Sequence, residues 1–398
     1  MSKKDFIWPI ITKESETAVI NQLHEAISIY DRSSIYLKFE NAFSKYHKRK
    51  YALTTNAGTT AIYSMFVGAG ITQGDEVICP VYTFFATVTP LLFVGAIPVF
   101  VDCGKDGNID PQKIEEKITK KTKGIIVTHM WGVPCDMEKI VNIAKKYKLK
   151  LFEDCSHAHG ATFKGKTVGS FSDASAWSLQ GQKIITGGEL GILTTNNSEI
   201  YYRALLLGHF NKRSLQEIPK NNKYHKYAIT GMGLKLRANP IGVALANEQF
   251  SKLHEILVQK RRFAKKLTKA IKRMNGLEVP KFEAIKNPAW YAYVFQFVPE
   301  KMNLTIKEFY QKAIEMGAKE LDMPFSTCPL THFEIFKTPG FLFKTYGTKN
   351  FTKGTYDNAE RFYNNALKLP VWTRESDEKY VDKYINILTT LCLKYGKK

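Results

Sequence analysis

Residues 178–191 read SLQGQKIITGGELG, and the lysine in this run, Lys183, has no other charged residue near it until Glu189. Apolar, strand-like stretches flank the segment on both sides. A desolvated lysine gives up its proton readily, and the neutral amine attacks carbonyl carbon. Gly187 and Gly188 leave room for backbone or a flat ligand to approach. The stretch suits a Schiff-base lysine beside an aromatic aldehyde cofactor, and it equally suits a surface lysine in a hairpin loop. Asp154 narrows the choice. It closes the apolar run Leu151-Phe152-Glu153, and His157 follows three residues later. A carboxylate at a strand end is what a pyridine nitrogen needs if the ring is to accept electrons, and a nearby histidine can hydrogen-bond a phenolic oxygen. Taken singly, Asp154 is also a possible strand-end cap and His157 a possible loop histidine. A phosphate would find donors in Asn56-Ala57-Gly58-Thr59-Thr60-Ala61, where a strand passes into a helix, because helix N-termini present free N–H groups. An ordinary N-cap by Thr59 is the simpler alternative. Ser178 adds a hydroxyl, and Phe84 offers a ring that could stack on the cofactor or belong to the core.

These residues need a scaffold that brings strand ends together. From about residue 50 to 195, short apolar strands alternate with helices: 51–55, a helix at 61–67, 76–79, 98–101, a helix at 111–118, 124–128, a helix at 136–147, 150–154, 174–179 and 192–195. This alternation predicts a mostly parallel sheet covered on both faces, with ligands at the carboxyl ends of its strands. The uncharged run 81–101 approaches membrane-spanning length, but Pro90, Gly95 and Pro98 break it. It reads as a buried helix over 83–94 followed by a core strand at 99–101. A long helix from about 240 to 274 is expected to link two domains. Beyond it, residues 290–297 alternate like a half-buried strand, and helices are expected near 305–316, 357–368 and 377–395. The predicted fold is α/β: a large three-layer domain over 1–255 and a smaller C-terminal α+β domain over 256–398, with about the first thirty residues as candidates for packing on the small domain.

The 398 residues carry 58 lysines and arginines against 37 acids, a net charge of +21. Such a balance favours anionic partners. The densest basic run, Lys260-Arg261-Arg262 with Lys265 and Lys266, has helical spacing with Phe263 and Leu267, and reads as the solvated face of an amphipathic helix. No nucleic-acid module is visible, and a nucleic-acid binder or non-enzymatic regulator has only the charge to support it. The six cysteines form no CxxC pair and read as buried, reduced thiols, so no metal site is expected. Met1-Ser2-Lys3-Lys4-Asp5 does not begin a signal peptide, and a cytoplasmic protein without a membrane span is expected.

The segments NAGTTAI (56–62), GDEVICPVYTFFAT (74–87), GAIPVFVD (95–102), EDCSHAHGA (153–161), VGSFSDASAWSLQGQKIITGGELG (168–191) and GLKLRANPIGVALA (233–246) resemble the DegT/StrS sugar aminotransferases, of the aspartate aminotransferase fold type. The resemblance runs from about Phe6 to the C-terminus. It implies pyridoxal 5′-phosphate as cofactor, with Lys183 as Schiff-base lysine and proton carrier, and Asp154 on the pyridine nitrogen. It also implies His157 on the phenolic-oxygen side, Phe84 stacked on the ring, and Gly58, Thr59 and Ser178 on the phosphate. Relatives are homodimers whose neighbouring subunit sends in a phosphate-binding asparagine. Here that position is Lys235, which would act as a point charge. Leu190 stands where the family has glycine, and either narrows the site or only alters a turn. Dehydratases of the family replace the lysine with histidine, so Lys183 implies transamination. The implied reaction moves an amino group from L-glutamate or L-glutamine to a phosphorylated keto substrate. That substrate is expected to be a nucleotide-linked keto-sugar for surface polysaccharide or lipopolysaccharide. A small phosphorylated ketone such as dihydroxyacetone phosphate, or a keto-cyclitol, is the alternative. His209 and Arg237 are further candidates for substrate or phosphate contact, and Trp131 is expected in the core before a substrate wall.

Overall fold

The computed structural model describes residues 5–397. Met1 to Lys4, on which the reading of the N-terminus rested, lie outside the described residues. The strands in chain order are β1 Tyr51–Thr55, β2 Glu76–Pro80, β3 Ile97–Val101, β4 Thr122–Thr128, β5 Lys150–Asp154, β6 Thr162–Phe163, β7 Lys166–Thr167, β8 Ala174–Ser178, β9 Gly191–Thr195, β10 Leu277–Glu278, β11 Lys286–Asn287, β12 Ala292–Phe297 and β13 Ala366–Pro370. Seven of them form one sheet in the order β1-β9-β8-β5-β4-β2-β3. The pairs from β8 to β3 through β5, β4 and β2 are parallel, and β8–β9 and β9–β1 are antiparallel. The parallel strands are covered on both faces, which is why Val77, Ile78, Ile125, Ile126 and Val127 form unbroken apolar runs, each fully buried. The antiparallel edge follows from a direct connection between β8 and β9, too short for a crossover helix. That connection carries Lys183.

A second sheet, β10-β12-β13, stands beside the first. On β12, Tyr293, Phe295 and Phe297 face a core that includes Leu267, Leu369, Trp372 and Leu388, while Ala292 and Val294 face the core of the large sheet. The helix Leu253–Ile271 joins the two: Leu253 and Leu257 pack beneath the β8–β9 region, and Phe263, Leu267 and Ile271 pack in the second core. Phe6 packs on the second core, whereas the helix Lys13–Glu25 lies against the helix Pro240–Ser251.

Several expected helices are corrected. Residues 83–94 form a 3-10 turn, Phe85–Thr87, and a short helix, Thr89–Phe93, in place of one buried helix. Pro90 denies the helix a hydrogen bond, and Phe93 is exposed. Residues 111–118 form two 3-10 turns, Pro111–Lys113 and Glu115–Lys117. The helix over 240–274 breaks at Lys252, which caps one helix and opens the next. The helix at 357–368 stops at Asn365, because Ala366 to Pro370 pair with β12. The basic run is not wholly solvated: Lys260 is buried, its Nζ donating to the Val371 carbonyl at 2.9 Å. All six cysteines are buried and unpaired. Among the described residues no helix is long and apolar enough to cross a membrane.

Candidate active site

Register assembles the site. β5 sets Asp154 level with Thr128 of β4 and Ala176 of β8, and β9 sets Gly191 level with both Ser178 and Thr55. The ends of five strands therefore meet in one place, beside the loop that bears Lys183 and the first turn of the helix Gly58–Ala69.

Asp154 is buried and held from two sides. Its Oδ1 accepts from the Ser156 N–H at 3.0 Å, and its Oδ2 accepts from the Thr87 hydroxyl at 2.7 Å. Thr87 in turn lies 3.0 Å from the Thr83 hydroxyl and 3.2 Å from that of Thr128. This network turns the inner side of residues 83–87 toward Asp154 and leaves Phe84 on the outer side, its ring 36 % exposed and 4.2 Å from that of Phe85. Behind Asp154, Glu153 is fully buried. It accepts from the N–H groups of Gly169, Phe171 and Ser172 and the Ser172 hydroxyl, and lies 3.2 Å from His129 Nε2. Burial works to raise its pKa. The His129 hydrogen bond, the charges of His129 and Arg49 and the Gly169 N–H outweigh that and hold it at about 2. His129, Glu153 and Cys155 lie close enough to suggest a metal ion, but the carboxylate is already saturated by these donors.

Lys183 is fixed at its main chain and free at its tip. Its N–H donates to the Gln180 carbonyl at 2.8 Å, and its carbonyl accepts from Trp8 Nε1 at 2.9 Å. Its Nζ forms no hydrogen bond or ion pair among the described residues and lies 4.7 Å from the centroid of Tyr291. Burial lowers its pKa to about 8, against the opposing pull of the Asp154 charge. Tyr291 stacks on His157, with centroids 4.1 Å apart and planes 6° from parallel, and Trp131 lies beside the pair, 5.6 Å from His157 and 6.4 Å from Tyr291. Burial, with the charges of Lys183 and Lys368, holds His157 neutral, its pKa well below the usual range. Its Nδ1 is buried without a partner.

At the helix N-terminus, a Cβ on Gly58 would sit 2.5 Å from Ser178 Cβ, so only glycine allows this approach. The cap is built by Asn56, Ala57 and Thr60: the Ala57 N–H donates to the Thr60 hydroxyl at 3.1 Å. Thr59 is therefore not the cap. It is exposed, and its hydroxyl has no protein partner among the described residues. Ser178 is half-buried, and its Oγ accepts from the Gln180 N–H at 3.3 Å. The structure thus brings together Gly58, Thr59, Asp154, His157, Ser178 and Lys183, with Phe84 on the adjoining turn. Lys235 is exposed on the strand-like segment that bridges to His209. Arg237 lies over Tyr30, its guanidinium 4.7 Å from the ring, and His209 is buried with Nε2 unpartnered. Leu190 is fully buried in the core with Trp177, Ile185 and Ile192, so it does not narrow the site. Trp131 is buried and also backs His157. Sequence reading missed Thr87, Tyr291 and Trp8. The spacing of Thr83 and Thr87 could have marked the first, but the other two are brought in by tertiary packing alone.

A mostly parallel sheet, a smaller α+β unit beside it, and a lysine loop set against a strand-end aspartate define a fold of the pyridoxal-phosphate-dependent aminotransferase class. The solved structure of an aminotransferase from Psychrobacter cryohalolentis superimposes with a TM-score of 0.87 over 98 % of this chain and 99 % of that one, at 24 % identity. The sequence profile of the DegT/DnrJ/EryC1/StrS aminotransferase family matches residues 10–388, and the chain belongs to that family. It is 36 % identical over 250 residues to GDP-perosamine synthase of Escherichia coli O157:H7, covering 63 % of this chain and 66 % of that one. It is 31 % identical over 349 residues to dTDP-3-amino-3,6-dideoxy-alpha-D-galactopyranose transaminase of Aneurinibacillus thermoaerophilus, covering 86 % and 87 %.

Proposed function

We propose that this chain is an aminotransferase that binds pyridoxal 5′-phosphate through the residues above and transfers an amino group from L-glutamate or L-glutamine to a nucleotide-linked keto-sugar. The observation that carries the cofactor assignment is Lys183, a lysine with a depressed pKa and an unengaged amine, on a loop beside buried Asp154. The other donors fit the same group. The orphaned Nδ1 of His157 awaits a partner, and Gly58 with the free hydroxyl of Thr59 and the undonated O–H of Ser178 leaves a cradle for a phosphate. When bound, the cofactor supplies a carbonyl carbon that condenses with amines and a ring that takes up the electron pair of a substrate carbanion. Lys183 provides the amine that holds this carbonyl and, once displaced, carries the proton. Asp154 would hold a proton on the ring nitrogen, and its two hydrogen bonds aim the carboxylate. His157, kept neutral by burial, can hydrogen-bond the phenolic oxygen without adding charge. Phe84 covers the ring. Lys235, exposed on its segment, would be the residue to reach the phosphate of a partner subunit in a homodimer. The names of the two sugar-nucleotide relatives support the acceptor class, and the net charge of +21 suits an anionic acceptor.

The test is the absorbance spectrum of the purified protein with pyridoxal phosphate, before and after L-glutamate, beside Lys183→Ala. A yellow band that glutamate bleaches and the variant lacks is expected, and nucleotide-linked keto-sugars should restore it. A wild-type protein that forms no such band refutes the cofactor assignment.

A further inference from the structure

We propose that Tyr291 is a positioning residue for Lys183: its ring face is the resting place of the lysine amine whenever that amine is not condensed with a carbonyl group, with the N-terminal segment Asp5–Trp8 fixing the backbone below. This inference rests on Lys183 being the reactive amine.

The amine has one neighbour that can hold it. Nζ stands 4.7 Å over the Tyr291 centroid, within the range at which a ring face attracts an ammonium. Around it, Asp154 is the negative charge that acts on it, His157 and His159 are buried and neutral, Lys368 faces His157, and the Tyr291 phenol stays protonated. The ring is held in place, because His157 lies parallel to one face at 4.1 Å and Trp131 flanks the pair, 6.4 Å from Tyr291. The backbone of Trp290-Tyr291 is equally fixed. Gly132, at φ +89°, packs so closely that a Cβ there would meet the N–H nitrogens of Trp290 and Tyr291 at 2.8 and 2.9 Å.

The other end of Lys183 is tied to a different part of the chain. Trp8 donates to its carbonyl at 2.9 Å. Trp8 stacks on Phe6, with planes 12° apart, and Phe6 meets Trp372 edge-on at 6.1 Å. The Asp5 carbonyl accepts from Trp372 Nε1 at 2.8 Å, and its carboxylate takes Lys383 Nζ at 2.6 Å. Trp372 lies in the second core, and so does Trp290, whose chain neighbour is Tyr291, so the unit that positions the ring face also anchors the segment that holds the lysine backbone. Lysine has four side-chain torsions to order between these two points, and a freed amine that returns to one place is ordered at no further entropic cost.

The experiment needs no cofactor. In the full-length apo-protein, the rate at which an amine-reactive anhydride labels Lys183 is followed against pH by peptide mass spectrometry, for wild type, Tyr291→Phe, Tyr291→Leu and Trp8→Phe. A ring face favours the ammonium. Leucine keeps the desolvation but removes the ring, so its labelling midpoint should fall by about half a pH unit or more, the scale of one such contact. Phenylalanine should retain the wild-type midpoint. Trp8→Phe, which loses the N–H donor to the Lys183 carbonyl, should leave the midpoint in place and lower turnover of the loaded enzyme. Circular dichroism confirms that each variant folds. Equal midpoints for the leucine and phenylalanine variants would overturn the proposal, whichever way they move. Failure of the cofactor assignment is a separate result, read as a missing yellow band in the wild type.

Discussion

Replacing Lys260 with methionine should make the protein more stable at neutral pH. Lys260 is 3 % exposed, donates one hydrogen bond to the Val371 carbonyl, and meets no carboxylate among the described residues. Burial lowers its pKa from 10.5 to about 7. A shift of that size corresponds to about 5 kcal/mol of cost for carrying the amine inside rather than leaving it charged in water. The sign follows from proton counting. Between about pH 7 and pH 10.5 the unfolded chain binds more protons than the folded one, so this residue's penalty is fully present below 7 and is relieved as pH rises toward 10.5. Methionine removes the amine while filling similar volume, at the cost of leaving the Val371 carbonyl unpaired, about 1–3 kcal/mol. The net gain is about 2–4 kcal/mol near pH 6; near pH 10, where the lysine penalty has fallen to about 1 kcal/mol, it should reverse to a loss of up to about 2 kcal/mol. Urea unfolding of wild type and variant at both pH values reads this directly. The difference between the two proteins matters, because Lys183 titrates in the same range. A variant that is less stable than wild type near pH 6, by the same margin as near pH 10, would refute the reasoning.

Two other substitutions test the scaffold of the site. Gly58→Ala places a methyl 2.5 Å from Ser178 Cβ; it should cost about 1–3 kcal/mol of stability and, in a pyridoxal phosphate titration followed by absorbance, weaken binding about tenfold or more. Glu153→Gln should destabilise by about 3–5 kcal/mol, since an amide nitrogen would face N–H donors now satisfied by a carboxylate; in the wild type, the stability that Glu153 contributes is present above pH 4.5 and lost as pH falls from 4.5 through about 2, worth about 3 kcal/mol, and thermal melts of both proteins down the acid range should show the variant's curve to be flatter.

What could be read from the chain was whatever lay in short segments. The alternation of strands and helices from 51 to 195 was visible because strands buried on both faces are continuous apolar runs. Asp154, His157 and Lys183 stood out because chemistry-bearing residues at strand ends differ in type from the runs around them. Errors came where a competing local force prevailed. Pro90 and the threonine network around Asp154 broke a helix that hydropathy alone would have drawn. Ala366 to Pro370 have the composition to continue a helix, but pairing with β12 converts them to a strand. Lys260 looked like part of a solvated face, since its neighbours Arg262, Lys265 and Lys266 follow that pattern. Which face of the helix turns toward the second sheet is a tertiary fact. Tyr291 and Trp8 were illegible for the same reason: they lie 108 residues after and 175 residues before Lys183, and no periodicity links them to it.

Among the described residues two lysines have depressed pKa values, Lys260 at about 7 and Lys183 at about 8. Judged by pKa alone, Lys260 would be the better nucleophile near neutral pH. Its surroundings argue otherwise. It faces a backbone carbonyl and the edge of a hydrophobic core, with nothing to protonate, polarise or orient a substrate. Lys183 instead faces a carboxylate, a neutral histidine with a free nitrogen, and a cradle of hydroxyls and N–H groups. A shifted pKa identifies a site only where other groups converge on it. The two lysines are nonetheless connected through Trp8. The Lys260 amine lies 5.9 Å from the Trp8 ring, and the Trp8 N–H holds the Lys183 carbonyl. The buried cation therefore helps to support the tryptophan that fixes the reactive lysine. This gives a physical reason for a residue that costs stability to stand where a methionine would fit.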